Sequence, residues 1–282
     1  MPDPPARALV LGAVSRDLDL AAGPGARVMP GGVVVHAGTA LARLGARVRV
    51  VTRLRPEDAD LLLSPLAAEG VETRALPSRD TTTYANDYRG GVDRHELRAV
   101  SDPIRAEDVP AAWRDADLVQ LGPLHPDDVL VETAAVVQGL VGLDVQGLVR
   151  ARGGGLRPSL LLPDLLAHVH VVQASEHELP AVLGGDSLPA FVARHGVREM
   201  LVTRGARGAT VVTRAGTTDV QADTVEPRAP VGAGDVFLAA YLLLRVRGRG
   251  PLEAARGAAR VAALKVAHGE VPRDVRVEDP AG

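Results

Sequence analysis

The chain contains no cysteine. That excludes disulfides, thiolate metal sites, iron–sulfur clusters and a cysteine nucleophile, and it fits a reducing cytosol. Aromatic residues are scarce, with two Phe, three Tyr and one Trp among 282 residues. A core must then be built from Val, Leu and Ala, and the stacking platforms on which bases lie are lacking. There is no basic surplus either. The 32 Lys and Arg face 35 Asp and Glu, a net charge of −3, which leaves no electrostatic footprint for nucleic acid or a membrane surface. No apolar run approaches the ~20 residues of a bilayer span. The opening MPDPPARALVLG lacks the basic-then-apolar pattern of a secretory signal. Lys265 is the sole lysine. Its isolation reads as a codon bias toward arginine and alanine.

What remains is a strand–helix rhythm. ARALVLGAV is a short apolar run of buried-strand type, and the Gly/Pro-rich RDLDLAAGPGARVMPGG after it reads as short edge strands or a flap. Val34 to Gly45 has helical spacing and a glycine stop. ARVRVVTRL alternates as a strand, and PEDADLLLSPLAAEG reads as a helix broken near Pro65. Between residues 71 and 100, VETRALP, TTTYANDY and RHELRAV look like short strands around Gly90-Gly91. They predict a small antiparallel layer outside the main sheet. The rhythm then resumes, with a helix expected over DDVLVETAAVVQG and two helices closing the chain. Such alternation predicts an α/β fold with a parallel sheet. No repeat or linker appears, so one domain with an appended flap is expected.

The sharpest local signal is PVGAGDVFLAAYLLL. Gly232, Ala233 and Gly234 directly precede a strongly apolar helix. Small residues let backbone N–H groups approach an anion, and a helix N-terminus adds unpaired donors and partial positive charge. Such a cradle suits a phosphate, or the charge that develops in phosphoryl transfer. Asp235 lies in the first turn, where a carboxylate would serve as general base for a hydroxyl. The same residues are also what an ordinary capped helix start looks like. Neither a P-loop nor a dinucleotide fingerprint is present. A second glycine site, Gly31-Gly32, precedes the first helix. Asp17, Gly31, Gly32 and His36 would converge on a polyol beyond the carboxyl ends of the strands. Asp17 read alone is also a solvated loop acid, and His36 a helix histidine.

Together and in this order, these stretches resemble the ribokinase (PfkB) family of small-molecule kinases. The N-terminal pattern of a Gly-Gly pair, an asparagine and A-L-A-R-L-G reads here GGVVVHAGTALARLG, with His36 at the asparagine. The C-terminal D-T-x-G-A-G-D-x-F reads APVGAGDVF. VVQASEHELPAVLG resembles the family's N-x-x-E segment, with Ser175 at the asparagine and Glu178 at the glutamate. VTRGARGATVV resembles its V-T-x-G-x-x-G turn. The likeness spans nearly the whole chain.

The resemblance implies a three-layer sandwich with a mostly parallel central sheet, helices on both faces and a small β lid. It implies one kinase domain over residues 1–282, with lid segments at about 15–30 and 72–98. Asp235 would be the base, and Gly232, Ala233 and Gly234 the anion hole. Glu178 would hold Mg²⁺ through water. Ser175, Thr203, Gly205 and Gly208 would line the ATP site, with His268 beside the adenine. Asp17, Gly31, Gly32 and His36 would bind the acceptor. The lid would exclude water on closing, and is one surface through which such folds form homodimers. Ala229 replaces an aspartate that belongs to a monovalent-cation site in the family, so strong potassium activation is not expected. His36 and Ser175 argue against ribose as the acceptor. TTTYANDY, DPIRAEDVPAAWRDADLVQLGP and GLDVQGLVR are similar to an inositol-kinase-like branch, in which Asn86 and Gln146 would be pocket residues. Two other readings stay open, a non-catalytic polyol- or nucleotide-binding relative and a nucleoside kinase. Few aromatics exist to stack a nucleoside base.

Overall fold

Apolar residues at strand spacing sort themselves onto two faces. In β1 (Arg7–Gly12), Ala8 and Val10 point into one core while Leu9 and Leu11 point into the other. A strand buried on both sides needs helices above and below it. The computed structural model, which describes residues 4–20, 28–87, 94–150, 155–273 and 275, has that arrangement.

The flap forms a hairpin, β2 (Ser15–Asp19) with β3 (Val28–Gly31). Helix α1 (Val33–Arg43) follows and leads to β4 (Arg47–Leu54). The predicted break near Pro65 is present as two short helices, α2 (Ala59–Leu62) and α3 (Ser64–Ala68). Next come β5 (Glu72–Pro77), β6 (Thr82–Asp87), β7 (Arg94–Ala99) and β8 (Asp115–Gly122). Then follow α4 (Val131–Ala135), β9 (Gln138–Asp144), α5 (Gln146–Val149), α6 (Leu162–Leu166), β10 (Val171–Ser175), α7 (Leu179–Leu183) and α8 (Leu188–His195). The chain continues through β11 (Glu199–Thr203), β12 (Ala209–Thr213), β13 (Gly216–Val220), α9 (Ala233–Val246) and α10 (Pro251–His268).

Nine strands form the main sheet, in the order β13-β12-β11-β10-β9-β8-β1-β4-β5. From β11 to β5 every pairing is parallel; β12 and β13 close one edge as an antiparallel hairpin. One core lies under α1, α3, α9 and α10, the other under α4 to α8. Each Val or Leu withdrawn from water in these layers contributes ~1.5–3 kcal/mol. Helix α9 is buried on all sides from Asp235 to Leu244. Alanines along α10, such as Ala254, Ala255, Ala258 and Ala259, are small enough to let the two helices lie close.

Two expectations need correction. VETRALP is not part of the outer layer: β5 is the edge of the main sheet, parallel to β4. The segment β4–α2–α3–β5 is a crossover unit, which places the returning strand parallel to and beside the one it left. The implied lid segment 72–98 therefore begins too early. The small sheet, ordered β3-β2-β6-β7, is also not wholly antiparallel, because β2 pairs with β6 in parallel. Residues 21–27 of the flap, and 88–93 with Gly90-Gly91, lie outside the described residues. The helix expected over DDVLVETAAVVQG spans only Val131–Ala135, since Gln138 and Gly139 are taken into β9.

Candidate active site

All the parallel strands end on the same side, and three of them end on polar residues. Asp144 ends β9, Ser175 ends β10 and Thr203 ends β11. Above them sits the N-terminus of α9. Gly232, its N-cap, has φ of 79°, and a Cβ there would lie 2.4 Å from the His36 ring. Only glycine meets both demands. Two glutamines fasten the first turn from below: Gln173 Nε2 donates to Gly234 O at 3.0 Å, and Gln120 Nε2 to Asp235 O at 3.2 Å.

Asp235 is buried, and its Oδ1 accepts from Gln146 Nε2 at 3.4 Å. Burial pushes its carboxyl well above the usual range, and Asp144 raises it further. Arg150 and Lys265 act the other way. Asp144 accepts from Gln173 Nε2 at 2.8 Å and from the Gln146 amide at 2.9 Å; burial first, and the charge of Glu178 second, push it up to about 6. A buried carboxyl with a raised pKa is a stronger base once ionised, and nearby cations make that ionised form attainable.

Beside Asp235 opens a cavity of about 190 Å³. Asp17, Tyr84 and Asn86 of the small sheet line it, with Gln146, Arg150 and His36. Gly32, Gly232 and Asp235 complete the wall on the helix side. Asp17 accepts from Ser15 Oγ at 2.8 Å; Gly31 backs onto its carboxylate so closely that a Cβ would fall 2.2 Å from Oδ2. His36 is half-buried, its Nε2 is enclosed with no partner among the described residues, and burial pushes the imidazole down to about 4, which favours the neutral form. Tyr84 donates its hydroxyl to Leu124 O at 3.0 Å.

The other side of α9 faces β10 and β11. Ser175 pairs with Thr203 across the parallel ladder, and Gly205 opens the turn that ends at Gly208. Glu178 is buried; its Oε2 accepts from the Ser175 amide at 2.8 Å, and Oε1 lies 3.6 Å from Arg150. Among the described residues, no three His, Cys, Asp or Glu gather as a metal cage. The donor set suits an ion that keeps its waters and takes one carboxylate, the habit of Mg²⁺. His268 is exposed at the end of α10. Ser175, Thr203, Gly205, Gly208 and His268 do not line the Asp17–Asp235 cavity.

Sequence reasoning missed Asp144, Arg150, Gln120, Gln173, Tyr84 and Lys265. Polar residues in otherwise apolar strands were the available signal for Asp144, Gln120 and Gln173.

A sequence model of the pfkB family carbohydrate kinases matches residues 8–274. The chain belongs to that family. It is a small-molecule kinase, and its fold is the ribokinase-like sandwich expected. It is 27% identical over 259 residues to a cytidine kinase from Thermococcus kodakarensis, covering 87% of this chain and 90% of that one. A pyrophosphate-dependent kinase in the ribokinase family, solved with a pyrophosphate analog and myo-inositol, superposes with a TM-score of 0.82. It is 24% identical, over 95% of this chain and 98% of that one. A chain from E. coli, solved with ATP and Mg²⁺, superposes with a TM-score of 0.76 at 20% identity, over 93% of each chain. No helix among the described residues is long and apolar enough to cross a membrane.

Proposed function

We propose that this kinase transfers the terminal phosphoryl group of ATP to a hydroxyl of a small polyol, an inositol or a sugar. The observation that carries the reading is one cavity walled by the Asp17 carboxylate, the α9 N-terminus and the Asp235 carboxylate. Asp17, Asn86 and Gln146 bind acceptor hydroxyls, with Gly31 and Gly32 giving the backbone its approach and neutral His36 offering one more polar atom. Asp235 takes the proton of the reacting hydroxyl. That oxygen bonds to the terminal phosphorus, the bond to the bridging oxygen breaks, and ADP departs with the electron pair. The amides at Gly232, Ala233 and Gly234 receive the charge that builds on the phosphoryl oxygens. Ser175, Thr203, Gly205 and Gly208 form the donor side, with His268 towards the adenine. Glu178 would hold Mg²⁺, whose charge would offset that of the phosphates. The small sheet of β2, β3, β6 and β7 acts as a lid and is the surface for a homodimer.

Size supports a single-ring acceptor. About 190 Å³ is below the ~300 Å³ at which pockets for drug-sized ligands begin, and among the described residues Tyr84 is the only Phe, Tyr or Trp in the wall. The likeness to the chain solved with myo-inositol supports the inositol branch. That chain is also pyrophosphate-dependent, so pyrophosphate is the second donor to test. Product release with ATP or pyrophosphate across myo-inositol, ribose, fructose, adenosine and cytidine is the experiment. Turnover of one polyol with ATP is expected. Turnover of a nucleoside alone would overturn the acceptor assignment, and turnover with pyrophosphate alone would overturn the donor.

A further inference from the structure

Every cation in this chain but one is arginine, and the exception is buried at the site. Lys265, in the last turn of α10, donates from Nζ to Ala229 O at 2.7 Å and to Val231 O. Those carbonyls belong to the loop that delivers Gly232, Ala233 and Gly234. The same helix end holds that loop a second way, since Val266 O accepts from the amides of Arg228 and Ala229. In a trans peptide the C=O and N–H point in opposite directions. Turning Val231 O toward the ammonium therefore aims the Gly232 N–H away from it. Lys265 also favours the ionised form of Asp235 and the neutral form of His36.

We infer that Lys265 is a positioning residue, a tethered cation that holds the carbonyls of 229 and 231 so that the amides of the α9 N-terminus face the transferred phosphoryl group. This rests on the loop being the phosphate side of the kinase site. A compact ammonium suits two converging carbonyls; the planar fork of arginine does not, which accounts for a lysine where the chain otherwise writes arginine. Truncation leaves a hole that a free cation can enter, because Lys265, Ala229 and Val231 border a second, larger cavity of about 630 Å³.

The test compares wild type, Lys265→Met and Lys265→Ala. Readouts are thermal unfolding, binding of inorganic phosphate and pyrophosphate by calorimetry, and turnover of whichever acceptor and donor wild type uses. Both variants should lose kcat by about 10²-fold, the loss expected when oxyanion donors are misaligned, while the acceptor KM stays within about threefold. Phosphate and pyrophosphate binding should weaken in parallel. Added ammonium, methylammonium or potassium should restore kcat in Lys265→Ala and leave wild type unchanged. Unaltered kcat and anion binding in folded variants would overturn the inference alone. So would loss that no cation rescues, or failure of both variants to fold even with methylammonium present, since the lysine would then serve the fold only. Wild type that binds neither anion would overturn the reading of the loop, and the inference with it.

Discussion

Replacing Asp235 by Asn should slow the chemistry sharply and strengthen the fold. The carboxylate is buried at the cavity wall with Asp144 as its neighbour, and it accepts a hydrogen bond from Gln146. Asn keeps the shape and an oxygen for that bond but removes the base, so kcat should fall by roughly 10²–10⁴-fold, about 3–5 kcal/mol of barrier. The folded carboxyl keeps its proton to higher pH than it does in the unfolded chain. Wild type therefore loses stability as pH rises from the ordinary carboxylate range through the folded value, and a neutral side chain does not. Replacing buried ionic groups by neutral ones of similar volume is worth up to ~1–4 kcal/mol, a gain of roughly 2–10 °C in Tm for a chain of this size. The assay pairs steady-state turnover with thermal melts from pH 5 to pH 9. Asp235→Asn should melt higher than wild type at alkaline pH, and the gap should close toward acid as Asp235 of wild type takes up its proton. Turnover within threefold of wild type would refute the base. A variant that melts lower at alkaline pH would refute the cost assigned to the buried charge.

Two more outcomes follow from named contacts. Arg150 favours the ionised form of Asp235, so Arg150→Met should move the acid limb of the kcat–pH profile to higher pH, and an unmoved limb would show that Arg150 does not act on the base. Further along α9 and outside the cavity wall, buried Tyr241 donates to Glu199 Oε2 at 2.7 Å, and Arg245 holds the same carboxylate. Tyr241→Phe should cost ~1–3 kcal/mol, a fall of some 2–8 °C in Tm, with kcat unchanged.

The elements that carry the site were legible because their signals are local. The small residues before α9, the Gly31-Gly32 pair before α1 and the strand–helix rhythm can be read from neighbours in the chain, and the structure places Asp17, Gly32, His36, Asn86, Gln146, Gly232 and Asp235 around one cavity. What escaped is long-range. β5 is an edge strand with most of its residues solvent-facing, so its own pattern does not say which sheet it joins; the crossover from β4 does. Gln120 and Gln173 look like interruptions in apolar strands until α9 is laid across them. Lys265 was visible as an oddity of composition, but its meaning needs the carbonyls of residues 229 and 231, more than thirty positions away.

Helix α9 has consequences beyond its place in the core. Because it is enclosed from Asp235 to Leu244, the proposed base is mounted on a helix packed against both the sheet and α10. The groups that would greet the acceptor are mounted elsewhere: Asp17, Tyr84 and Asn86 come from a separate four-stranded sheet. On the proposed reading, part of acceptor recognition thus resides on a different piece of scaffold from the base, while Gln146 and His36 join it from the main body. On that reading, changes confined to β2 and β6 would alter the acceptor side of the cavity without touching the N-terminus of α9.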